Sequence, residues 1–153
     1  MSHDPEIFSF LTSHIQSIME NDVNTYHDST AEDLTLYEWF LTPHRIDGIP
    51  FHDFMMESAA GRGSVFGAEV DEENTSFPSK TRFDLANLHI QRYGDTAIAS
   101  YTMMLSTSLP TGVKVVAHNE SRVIVRIDNN WQVVHCHKSP AWQAPHQAPS
   151  NSP

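Results

Sequence analysis

Cysteine is nearly missing from this sequence: Cys136 is the only one in 153 residues. That excludes an internal disulfide and any cysteine-rich zinc module, and it suits a reducing, cytoplasmic setting. Long apolar runs are missing too. None approaches the ~20 residues that a membrane-spanning helix needs. The first residues, MSHDPEIF, lack the basic start and apolar core of an export signal, so export is not expected. Basic side chains are scarce: 9 Lys and Arg stand against 19 Asp and Glu, for a net charge of −10. A chain so acidic repels phosphate backbones, which argues against nucleic-acid binding. No internal repeat is visible.

What is present fits one domain, long enough to bury a core without staples. Asp4-Pro5-Glu6 is a helix start, with an Asp cap, Pro at the first helical position and an acid at the positive end of the dipole. Ile7, Phe8, Leu11, Ile15, Ile18 and Met19 then recur at helical spacing. Asn21-Asp22 breaks this helix, and a shorter one is expected over Val23–Asp28 with Asp22 as its cap. Leu34–Leu41 reads as a strand and Arg45–Ile49 as a segment that pairs back on it. Pro50 opens a third helix through Met56. Gly61–Lys80, rich in Gly, Ser and acid, reads as a long surface loop. Long strands follow over Arg82–Tyr93 and Thr96–Ser108, joined at Gly94-Asp95. The layout is α+β, helices first and then a meander of antiparallel strands. A domain over 1–139 and a Pro-rich flexible tail over 140–153 complete it.

The densest chemistry lies in Val113–Ser139, two strands joined at Asp128-Asn129-Asn130. It carries Glu120, Arg122, Arg126, His135, His137 and Lys138. The motifs Asn119-Glu120-Ser121-Arg122-Val123, Asp128-Asn129-Asn130-Trp131-Gln132 and His135-Cys136-His137-Lys138-Ser139 occur in that order. With Leu34–Glu38, Asp47–Phe54 and Ala97–Tyr101, they make the chain resemble the association (hub) domain of calcium/calmodulin-dependent protein kinase II. The resemblance runs from about Ile7 to Ser139.

That resemblance implies a cone: a curved antiparallel sheet wrapped around N-terminal helices, as in nuclear transport factor two and SnoaL-like proteins. It also implies homo-oligomerisation, and a kinase or calmodulin-linked partner. Three departures stand out. No kinase or calmodulin-binding segment is visible, so the domain is expected to stand alone. The Gly61–Lys80 loop is longer than the family's. Arg122 matches a cavity arginine and Lys138 stands in for another, but Met103 sits where a third is expected.

Alternate strand residues share a face. With Arg122 and Lys138 placed inward by the resemblance, Val123, Val125, Ile127, Trp131, Val133, His135 and His137 fall on the outer face. Such an apolar surface calls for a partner subunit. Inward, Glu120 is two residues from Arg122 on one face and close enough to pair. Three readings stay open there: an internal ion pair, a catalytic cavity, or a pocket for a small anion or carboxylate. The pocket would use Arg122, Glu120 and Lys138, with Tyr101 and Tyr37 as neutral donors. A SnoaL- or ketosteroid-isomerase-like enzyme is the alternative function, though no convincing base and donor set is visible. His135-x-His137 offers two imidazoles on one face, too few for a metal site. No cofactor is implied.

Overall fold

The computed structural model describes residues 3–49 and 81–141. The third helix expected from Pro50, the Gly61–Lys80 loop and most of the expected tail lie outside them. Helix α1 (Pro5–Met19) starts where its cap predicts: the Asp4 side chain accepts from the backbone N–H of Glu6 and Ile7, each at 3.1 Å. Ile7, Leu11, Ile15 and Ile18 form its buried stripe. Helix α2 (Val23–Asp28) is capped by Asp22, which accepts from the Thr25 N–H at 3.2 Å.

Among the described residues six strands follow: β1 (Thr30–Tyr37), β2 (Ile46–Asp47), β3 (Thr81–Tyr93), β4 (Thr96–Leu109), β5 (Gly112–Ile127) and β6 (Asn130–Pro140). They form one curved sheet in the order β2-β1-β6-β5-β4-β3. The strand expected to run to Leu41 ends at Tyr37, where residues 39–41 turn. The sheet is mixed rather than wholly antiparallel, because β1 lies parallel to β6. A strand from the start of the chain thus lies beside the last strand.

The β5–β6 connection turns through Asp128 (φ 50°) and Asn129 (φ 66°). Two successive left-handed residues make the two-residue turn whose twist matches a hairpin, and Asp and Asn tolerate it best after glycine.

Register settles which face each residue takes. On β4, Ala97, Ala99, Tyr101, Met103 and Leu105 are buried, and their β5 partners Ile124, Arg122, Glu120, His118 and Val116 point the same way. This inner face packs on α1, α2 and Leu34 in one core. The N-terminus of α1 is pinned to it through Trp131, which lies between the Arg92 and Arg126 guanidiniums, 5.0 and 5.1 Å from its ring centre. Trp131 Nε1 donates to Glu6, and Arg92 pairs with Asp4 at 3.1 Å.

Two residues expected on the outer face are inside. Val123 pairs with His135 but Ile124 pairs with Val133, so Val134 is an extra residue on β6. This bulge reverses the alternation before it. Val133 is therefore 1 % exposed within the core, and Trp131 packs against that core.

Candidate functional site

Strand alternation carries four charged side chains and a phenol into the interior. Glu120 and Arg122 come from β5, Lys138 from β6, Tyr101 from β4, and Glu38 from the residue just after β1; all are buried. Arg122 Nη1 donates to Glu120 Oε1 and to the Tyr101 hydroxyl, the latter at 2.5 Å. Tyr101 donates in turn to Glu120 Oε1 at 2.7 Å. The other Glu120 oxygen bonds His118 Nε2. Beside this group, Lys138 Nζ donates to Glu38 Oε1 at 2.5 Å.

Burial alone would raise the Glu120 carboxyl. Arg122, and then His118 and Lys138, outweigh it and hold Glu120 well below the usual carboxylate range. Burial likewise opposes the charge on Lys138, yet Glu38 and then Glu120 raise its pKa. Burial pushes the Tyr101 phenol well up, so it stays a neutral donor. Cys136, on the same inner face, is pushed up to about 11 by burial and is an inert thiol. Two polar atoms in the group, Glu38 Oε2 and Arg122 Nε, are buried without a hydrogen-bond partner among the described residues.

Four of the five expected pocket residues, Arg122, Glu120, Lys138 and Tyr101, thus meet. Tyr37 does not join them. It pairs in register with His137, and its ring lies 4.9 Å from that imidazole and 6.4 Å from His135. The parallel pairing with β6 puts Leu36 beside the buried Cys136, which turns Tyr37 to the opposite face. Its successor Glu38 is the inward residue, and sequence reasoning missed it. His118 was also missed as a participant. The signal for it was present, since it shares the inner row with Glu120 and Arg122.

The outer face holds Val115 (51 % exposed), Val123, Val125 and Ile127 (41 %), with Ile98 and Met104 from β4. His135 and His137 lie among them; His135 Nδ1 bonds the Thr35 hydroxyl at 2.7 Å. Where β3 shifts register near Asn87, β3, β4 and β5 line an open pocket of about 420 Å³ whose walls include His89, Ser100, Thr102, Asn119 and Ser121. Among the described residues no group of three His, Cys, Asp or Glu could hold a metal ion. No helix among them is long and apolar enough to cross a membrane.

Comparison with known proteins gives the same picture. The family model described as the calcium/calmodulin dependent protein kinase II association domain matches residues 3–142. The hub homology domain of Chlamydomonas reinhardtii superimposes with a TM-score of 0.72 at 21% identity, covering 93% of this chain and 100% of that one. The association domain of the C. elegans kinase gives 0.65 at 22%, covering 88% and 92%. A nuclear transport factor two-like protein of unknown function from Pseudomonas putida gives 0.68 at 17%, covering 92% and 87%. At these identities the structures speak to the fold.

Proposed function

The chain belongs to the calcium/calmodulin-dependent protein kinase II association domain family, and we propose that it works as a cytoplasmic, homo-oligomerising module through the outer face of its sheet. The observation that carries this is the apolar outer face. On β5, Val115 stays 51 % exposed at one end, near Met104 of β4, and Ile127 stays 41 % exposed at the other, where Val123 and Val125 lie with Ile98 of β4. A second copy covers such a patch most simply. His135 and His137 would lie within that contact.

The interior holds a partly basic pocket in this reading. Each cation there already has a carboxylate, so a small anion would have to compete with Glu120 or Glu38. Arg122 Nε, buried and without a hydrogen-bond partner among the described residues, is the donor that favours such a ligand. A kinase or calmodulin-linked partner would dock on the assembly from outside. Isomerase chemistry is the weaker reading: a base poised for proton abstraction needs a raised pKa, and Glu120 is shifted the other way.

Light scattering and native mass measurement at micromolar concentration test the assembly. A dimer or larger ring is expected, and a clean monomer would sink it. A thermal-shift panel of small carboxylates tests the pocket separately. A ligand present at ~100 times its dissociation constant adds about 2.7 kcal/mol, and no shift with any of them leaves the interior as an ion-pair network alone.

A further inference from the structure

The outer face carries three imidazoles in two adjacent cross-strand rows. In the first row His89 pairs with Ser100, Ser100 with Ser121, Ser121 with His137, and His137 with Tyr37. In the second, Gln91 pairs with Ile98, Ile98 with Val123, Val123 with His135, and His135 with Thr35. Directly paired residues share a face, so these rows give the in-register neighbours of each imidazole among the described residues. His89 meets a hydroxyl, His137 meets a hydroxyl and a phenol, and His135 meets a valine and a threonine.

Among the described residues, carboxylates are confined to the margins of this surface. Asp47 pairs with Thr35 at the end of the second row, and Arg45 already engages it at 2.6 Å. On β3, Asp84 and Arg82 stand opposite Met104 and Ser106, beyond the rows. Glu32 and Asp33 are exposed near the start of β1, where its register with β6 shifts. None of these is paired in register with an imidazole among the described residues.

We infer that the outer face is a pH-gated contact surface, closed between two copies while His89, His135 and His137 are neutral and opened when they take up protons. The inference rests on the self-association reading above. In an isologous contact the same face meets itself, so each added charge on one copy faces its counterpart on the other. Covering an imidazolium with Val123, Ile98 or Val115 also strips its water without supplying an acid. Both effects weaken association as pH falls. Histidine is the side chain whose charge changes between about pH 5 and 8. A contact that excludes the protonated form loses affinity as pH falls through that range, and the losses at several imidazoles multiply.

The test is the dissociation constant of the full chain, by sedimentation at pH 7.5 and at pH 5.5, with far-UV circular dichroism at each. The expected result is a constant at least about tenfold larger at pH 5.5 with an unchanged dichroism signal. The combined variant His89→Gln, His135→Gln and His137→Gln should show a smaller ratio between the two pH values, whatever its own affinity at pH 7.5. Dilution calorimetry at pH 6.5 in two buffers of different ionisation enthalpy adds a readout that needs no variant. It should show protons taken up on dissociation. An assembly that forms equally well at both pH values, or that dissociates without proton uptake, overturns the gate and leaves self-association standing. Loss of the dichroism signal at pH 5.5 also overturns it, because the fold would then carry the dependence. A monomer at every pH and concentration overturns the self-association reading, and the gate with it.

Discussion

Lys138 and Glu38, a hundred residues apart in the chain, meet at 2.5 Å with side chains 2 % and 0 % exposed. Both side chains are buried away from water, and their pairing holds side by side the two chain segments that carry them. Such a pair does more to fix an arrangement than to lower its free energy, because removing two charges from water offsets most of their attraction.

Truncating one partner should therefore be far worse than removing both. Glu38→Leu alone takes the hydrogen-bonded carboxylate from a buried ammonium, and Lys138→Met alone takes the ammonium from a buried carboxylate. Each should cost about 3–5 kcal/mol in urea unfolding. The double variant should recover most of that loss, and a strictly additive cycle would show that the pair is not coupled.

The pH dependence of stability has two limbs. Glu120 has a folded pKa depressed below its reference of 4.5, so its contribution is present above that value and is lost as pH falls below it. Lys138 has a folded pKa raised above its reference of 10.5, so its contribution is full below that value and is lost as pH rises through the folded pKa. As far as these two groups go, the melting temperature should be level between the references and fall on either side. Glu120→Gln should make the acid limb shallower, which thermal scans across pH would read.

Val125 pairs with Thr96 and Gln132 and is half-buried on the outer face. Val125→Glu should dissociate the assembly while leaving the melting temperature of the separated chain within a few degrees. Native mass measurement reads the first and calorimetry the second. Arg122→Ala makes the contrast. Arg122 lies on the opposite face, so self-association should survive, but any stabilisation by carboxylates should vanish. Loss of the guanidinium beside the buried Glu120 should also lower stability by about 3–5 kcal/mol.

The turn at Asp128-Asn129 gives a local test. A β-branched residue tolerates φ 66° poorly, so Asn129→Val should cost about 1–2 kcal/mol in denaturant unfolding. Asn129→Gly should be neutral or mildly stabilising.

Much of the architecture was legible because local signals agreed with one another. Asp4-Pro5 fixed one helix start, Gly94-Asp95 and Asp128-Asn129 fixed two hairpins, and alternation along β5 put Glu120 and Arg122 on one face. Long-range register was the part that could not be read. Nothing local says that β1 lies parallel to β6, so choosing between Tyr37 and Glu38 as the inward residue amounted to choosing by side-chain type. Nor does anything local mark Val134 as a bulge, and one extra residue was enough to turn Trp131 and Val133 inward. The motif order identified the family without needing either fact.

The parallel β1–β6 pair has a consequence for synthesis. As the chain leaves the ribosome, β1 emerges with about a hundred residues still to be made before its neighbour β6 exists. Until then Glu38 has no ammonium to meet, and Leu36 has no Cys136 strand to lie beside. The helices can form early, but the sheet closes only when its last strand arrives. Contacts so distant in sequence make for slow folding and for a waiting period with one strand edge open.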